Sequence, residues 1–278
     1  MSMKFETICF GYGLIEGPRV DAEGALYFSD VTGGGVYRRA VSGTIATAVP
    51  KRRGVGGIAL HAEGGLVISG RNVCHVREGA TRILFARDDI PGFNDLFTDS
   101  AGRVYVGSLR SDPFAAGPRV PGALYRIDLD GAVTELYGEV GLSNGIGLSP
   151  DGRRLYHADT SAAQILAHDL AADGTARNRS VFARVTQGSP DGLAVDVEGG
   201  VWVAVYDGGC LLRYAADGSL ERRIEVPARA VTSLCFGGPD GRDLYVVTAD
   251  NTESSERRGT VFRARSKIAG APVALARV

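Results

Sequence analysis

The sequence predicts an all-β fold, a six-bladed β-propeller of four-stranded antiparallel blades, and three observations predict it. A nine-residue frame recurs six times, opening at Glu16, Gly56, Asn94, Asn144, Asp191 and Ser233 (EGPRVDAEG, GGIALHAEG, NDLFTDSAG, NGIGLSPDG, DGLAVDVEG, SLCFGGPDG). The openers follow one another at intervals of 40, 38, 50, 47 and 42 residues, the length of a propeller blade. Apolar alternation of period two, punctuated by Gly, Asp and Pro, fills those intervals, and no long window carries a helical period.

Each frame supplies the first strand of a blade and ends on a turn glycine. Second strands follow as ALYFSD (25–30), GLVISG (65–70), RVYVGS (103–108), RLYHAD (154–159), VWVAVY (201–206) and DLYVVT (243–248). Third strands are GVYRRA (35–40), NVCHVR (72–77), GALYRID (122–128), QILAHDL (164–170), CLLRYAA (210–216) and GTVFRAR (259–265). Fourth strands are weaker, with TIATAV (44–49), TRILFA (81–86) and VTELYG (133–138) the readable ones. Closed rings of blades leave only short sheet edges. Closure assigns 4–10 as the outer strand of the last blade, beside 272–278, in a single domain spanning 1–278.

Composition excludes several function classes. Lys+Arg at 31 against Asp+Glu at 32 gives a net charge of -1, which supports neither a nucleic-acid nor an anionic-membrane partner. A small-molecule partner is expected, and composition sets no oligomeric state. The four cysteines are far apart with no CxxC pair, so they read as small buried hydrophobes. No apolar run approaches a membrane span, and the N-terminal residues lack the pattern of a secretory signal, so the expected location is cytoplasmic.

Topology decides which residues can meet. The first strand of a blade is innermost, so the six openers share one mouth of the channel and the Asp/Glu-Gly hairpins lie at the other. Loops after the second strands rim the openers' mouth, the longest being 109–121, a candidate lid. Four openers carry a metal-capable oxygen: Glu16, Asn94, Asn144 and Asp191. One such residue alone would more simply cap a strand; four at one repeat position argue for a site. Glu16, Asn144 and Asp191 would form an all-oxygen cage suited to one hard divalent cation, Ca²⁺, Mg²⁺ or Mn²⁺, with Zn²⁺ also accommodated. Two carboxylates near one axis repel each other unless a cation lies between them.

The motifs LIEGPRV around Glu16, FNDLFTD around Asn94, LSNGIGLSPDG around Asn144 and SPDGLAVDVEGGVWVA around Asp191 resemble the SMP-30/gluconolactonase/luciferin-regenerating-enzyme family, over essentially the whole chain. The resemblance implies a six-bladed propeller with one catalytic divalent metal, and hydrolysis of lactones or of related esters and phosphoesters. By position, Glu16, Asn144 and Asp191 match the family's metal ligands, and Asn94 its substrate- or water-holding asparagine. Family members acting on sugar lactones commonly carry Arg-x-Asn-Asp, whereas here the arginine position is Gly92. Loss of that five-donor group points to a smaller or less polar lactone. Arg71, Arg110 and Arg119 lie on the mouth side and could supply charge, and Phe93 and Phe114 an apolar wall. In this arrangement a cation polarises the carbonyl and acidifies water, Asp191 serves as ligand and base, and Asn94 donates to the oxyanion.

Other features carry less. The four histidines are not spaced as ligands, no GxSxG is present, and Gly33-Gly34-Gly35 precedes no helix. Asp30, Asp159, Asp207 and Asp250 end second strands and read as turn caps. Two alternatives stand beside the lactonase reading: hydrolysis of another ester or an organophosphate at the same site, and a non-catalytic ligand-binding propeller.

Overall fold

The computed structural model describes residues 3–112, 115, 117 and 119–278. Period-two alternation folds as expected. The first strand of the chain, β1 (Glu6–Tyr12), stands apart. Next come β2 (Ile15–Val20), β3 (Leu26–Asp30), β4 (Val36–Arg39) and β5 (Ile45–Val49) as blade I, then β6 (Ile58–Leu60), β7 (Leu66–Ile68), β8 (Val73–Arg77) and β9 (Ala80–Phe85) as blade II. Blade III is β10 (Gly92–Thr98), β11 (Val104–Leu109), β12 (Gly122–Ile127) and β13 (Val133–Val140). Blade IV is β14 (Ser143–Leu148), β15 (Arg154–Asp159), β16 (Gln164–Leu170) and β17 (Ala176–Arg184). Blade V is β18 (Ser189–Val195), β19 (Val201–Tyr206), β20 (Cys210–Tyr214) and β21 (Leu220–Glu225). Blade VI is β22 (Val231–Gly237), β23 (Asp243–Thr248) and β24 (Gly259–Arg265), completed by β1. The architecture is a six-bladed propeller, all strands antiparallel to their neighbours. No helix among the described residues is long and apolar enough to cross a membrane.

Blades pack through inward side chains of facing sheets. Tyr156, Ile165 and Phe182 of blade IV meet Val203, Leu212 and Tyr214 of blade V. Trp202 of blade V is 1% exposed, meets Phe236 of blade VI edge-on at 5.6 Å, and donates its indole N–H to Asp196 at 2.7 Å. Burying an aromatic of this size contributes on the order of 2–3 kcal/mol. Between blades VI and I, the Thr232 hydroxyl donates to the Ile15 carbonyl at 2.5 Å.

The two ends of the chain behave differently from each other. β1 pairs with β24 as the expected outer strand. The C-terminal segment does not lie beside it. It runs across the hairpin face, where Ala271 N–H donates to Val195, Ala276 N–H to Leu60 and Arg277 N–H to Gly102. Alternation at the end of the chain is too brief for a blade strand, and its backbone groups find partners in three blades instead. All four cysteines are free and buried, and burial pushes the Cys9 and Cys235 thiols up to about 12.

Candidate active site

The openers stand at interruptions of the innermost strands. The β2–β3 register shifts between Glu16 and Arg19, β10–β11 between Phe93 and Leu96, β14–β15 between Ser143 and Ile146, and β18–β19 between Pro190 and Leu193. These are β-bulges, which free a residue from the ladder and re-aim its side chain. A glycine after the opener permits the crowding this needs. A Cβ on Gly145 would lie 2.4 Å from the Leu193 amide nitrogen, and one on Gly192 2.1 Å from the Ser233 hydroxyl oxygen. In the third frame Asp95 takes the glycine's place.

The turn aspartates fix where each bulge begins. Asp30 accepts from the Gly13 and Gly33 amides, Asp159 from Gly141 and Leu142, and Asp250 from Arg229 and Ala230. The capping role expected of these three is therefore present. Asp207 instead pairs with Arg229 at 3.3 Å.

Glu16, Asn94, Asn144 and Asp191 line one cavity of about 950 Å³ at the openers' mouth. Its wall mixes apolar residues (Leu14, Val31, Ile90, Leu109, Leu142) with Arg71, Arg119, Thr160 and Tyr206. Glu16, Asn144 and Asp191 are all nearly buried, at 7%, 7% and 6% exposure. Burial pushes the Glu16 carboxyl well above its ordinary range, and the Asp191 and Asp95 carboxylates push it further. Burial and then Asp95 do the same to Asp191, against the opposing pull of Asn144 and the Gly192 amide. Asp191 Oδ1 is buried without a hydrogen-bond partner. The Asn144 Nδ2 donates to Thr160 Oγ1 at 3.2 Å, and the Thr160 hydroxyl donates to the Pro190 carbonyl at 2.8 Å. That leaves the Asn144 carboxamide oxygen as its remaining polar atom. No three His, Cys, Asp or Glu side chains cluster among the described residues; the set here is two carboxylates completed by a carboxamide.

Asn94 donates Nδ2–H to the Ser143 carbonyl at 2.9 Å, and its oxygen lies where a Cβ on Gly56 would be, 2.0 Å away. Beneath it Asp95 accepts from the Leu96 amide at 2.8 Å and faces Arg19 at 3.9 Å. Burial pushes the Asp95 carboxyl up to about 6 despite that guanidinium.

The other sequence candidates separate. Arg119 lines the cavity, with one N–H donated to the Asp112 carbonyl at 3.2 Å. Arg110 does not line it and is paired with Asp89 at 2.7 Å, a correction to its expected place at the substrate. Phe93 borders the cavity, but its ring is 1% exposed and packs on Phe85 at 4.8 Å, so it serves the core more than a substrate wall. Phe114 lies outside the described residues, as does part of the 109–121 loop. Arg71 lines the cavity and has no hydrogen bond or ion pair among the described residues. Asp95, Thr160 and Tyr206 were not singled out for the site. Asp95 alone carries a visible signal, an acid where the frames opened by Glu16, Asn144 and Asp191 have glycine.

The sequence profile of the SMP-30/Gluconolactonase/LRE-like region matches residues 14–250. The pentonolactonase XacC of Haloferax volcanii is 36% identical over 236 residues, covering 82% of this chain and 78% of that protein. The 6-deoxy-6-sulfogluconolactonase of Pseudomonas putida is 31% identical over 265 residues, 89% of each. The solved calcium-binding protein regucalcin from Agrobacterium tumefaciens superposes with a TM-score of 0.87 at 23% identity, over 100% of this chain and 99% of that one, a likeness of fold. With its frames, its bulged openers and these matches, the chain belongs to the SMP-30/gluconolactonase/LRE-like family.

Proposed function

We propose that the chain is a divalent-metal-dependent hydrolase that opens a lactone ring, with Glu16, Asn144 and Asp191 holding the cation. One observation carries the reading: a buried carboxylate oxygen of Asp191 without a partner, in a cavity shared with Glu16 and Asn144. An unpaired buried anion is costly, and a hard cation satisfies it with the donor types present. The lactonase activities named for two relatives at 36% and 31% identity support the substrate class. When bound, a divalent cation supplies Lewis-acid charge to the carbonyl oxygen and to the attacking water.

The chain's own residues do the rest. Asp191 accepts a proton from the water that attacks the carbonyl carbon. Asn94 has spent one amide proton on Ser143 and keeps the other for the oxygen that becomes negative. Cleavage of the ring C–O bond, with a proton returned to the ring oxygen, gives the hydroxy acid. The apolar wall and the space beside Gly92 support a ring less polar than a sugar lactone. A Cβ on Gly92 would meet nothing closer than 3.6 Å. Arg71, which borders the same cavity, is placed to hold a polar or anionic substituent.

The test is metal-stripped protein assayed on a lactone panel with Ca²⁺, Mg²⁺, Mn²⁺ or Zn²⁺ restored, beside Asp191→Asn. Restored turnover that drops at least a hundredfold in the variant is expected. Stoichiometric metal binding with no lactone turnover would favour another ester or an organophosphate. No metal binding would leave a ligand-binding propeller.

A further inference from the structure

Behind the cavity floor, blade IV holds a chain of buried polar groups that the proposed reaction does not use. Ser143 opens β14 one residue before Asn144 and is 0% exposed. Its Oγ lies 2.7 Å from Nε2 of His157 on β15, and Nδ1 of His157 lies 3.0 Å from the Tyr137 hydroxyl on β13. The Tyr137 ring stacks on His168 at 3.8 Å. Neither Ser143 nor His157 borders the cavity, so a Ser–His nucleophile is excluded by access.

Hydrogen-bond accounting ties this chain together. Burial holds the His157 imidazole down to about 3, so the ring is neutral, with one donor and one acceptor. Among the described residues the Ser143 hydroxyl has His157 as its one side-chain partner, and so has the Tyr137 hydroxyl. Each hydroxyl is tied to one ring nitrogen, one bond donated by the ring and the other accepted by it. Loss of the imidazole would leave the buried Ser143 hydroxyl without its partner, at a cost of about 1–3 kcal/mol.

The chain ends at the site. β14 is bulged between Ser143 and Ile146, so the ladder alone does not fix the Ser143 peptide. Its carbonyl is the acceptor that turns Asn94, at 2.9 Å. Room for the anchor comes from Gly107 on β11, where a Cβ would fall 1.6 Å from Ser143 Oγ. We propose that His157, through Ser143, sets the position of the Ser143 carbonyl and thereby of the Asn94 carboxamide, which makes His157 a positioning residue for the reaction. The proposal rests on the hydrolase reading of the cavity.

The test uses the metal-loaded full chain and the lactone that wild type turns over best. His157→Phe keeps the ring and loses the hydrogen-bonding nitrogens; His157→Gln restores a partner for Ser143. His157→Phe is expected to lower kcat about tenfold, with KM and metal affinity within about twofold of wild type, and His157→Gln to recover most of the loss. In an Asn94→Ala background His157→Phe should add less than about twofold, since the effect runs through Asn94. An unchanged kcat, or losses that multiply with Asn94→Ala, overturns the proposal. Should His157→Phe fail to fold, Ser143→Ala carries the same expectations. Crystal structures of wild type and variant give a readout free of activity: the Asn94–Ser143 hydrogen bond is expected to be broken in the variant, and its persistence overturns the proposal. If wild type opens no lactone, the hydrolase reading fails, while that bond still decides whether His157 positions Asn94.

Discussion

Gly92 shows how much specificity one side chain can carry. It stands beside a β-bridge, Gly70 paired with Phe93, so Arg71 reaches the cavity from the β7–β8 loop next to the bare position. A Cβ at position 92 would make only ordinary contacts at the cavity's edge, and its backbone is not in the left-handed region. Gly92→Arg is expected to fold as wild type and to raise kcat/KM for polyhydroxylated lactones relative to unsubstituted ones by about tenfold, one good charged hydrogen bond. Competition kinetics with paired substrates checks it; an unchanged ratio would mean that position 92 does not touch the ring. The openers themselves were readable because a repeat exposes any position that breaks its own pattern. Asn144 and Asp191 needed only the periodicity to be placed together. Arg110 misled for the opposite reason: position on the mouth side does not reveal that Asp89 holds the guanidinium.

Strands differ in how plainly they announce themselves. The innermost strands are buried on both faces, as in β14, where every residue is buried, and their apolar frames stand out. Outer strands β17 (ARNRSVFAR) and β21 (LERRIE) are mostly exposed, carry charge where a core strand carries valine, and escaped the reading. Bulges escaped it too, because an extra residue shows only in the register of two strands. The His157 chain was likewise hidden: it joins β13, β14 and β15, and none of its members is unusual for its own strand. It has a consequence for blade IV. The imidazole ordinarily titrates near 6.5 and is held down to about 3 in the folded protein, so on acidification the unfolded chain takes up the proton first. Stability from this group is whole above pH 6.5 and is lost as pH falls toward 3, with a slope of up to about 1.4 kcal/mol per pH unit. His168, held down to about 4, adds the same sign. Urea denaturation from pH 7 to 4 should therefore show a shallower slope in His157→Phe than in wild type; equal slopes would place the acid sensitivity elsewhere.

At the scale of the molecule, the ring is held by two devices: β1 on β24, and the C-terminal segment across the hairpin face. The segment's Ala276 is 0% exposed and Val278 6%, and its amides reach blades II, III and V. We propose that residues 1–278 unfold as one unit. Deletion of 270–278 is then expected to lower Tm by several degrees, at about 2–4 °C per kcal/mol, while calorimetry still shows one transition. Two resolved transitions would show that blades melt apart. The sequence carried the ring itself, from six repeats and their spacing, and it carried the use of β1 as a closing strand. It did not carry the route of the last residues, since hydrogen bonds to three separate blades leave no period to read.

Pairing β1 with β24 also orders events in time. Ile8 and Tyr12 of β1 pack against a cluster that includes Val261 of β24. During synthesis β1 is therefore made well before the strand it pairs with, with the other five blades between them. Until β24 emerges, β1 is an unpaired, partly apolar strand beside a ring that has no way to shut. Native structure in blade VI therefore waits for β24, later than in the blades whose four strands are consecutive.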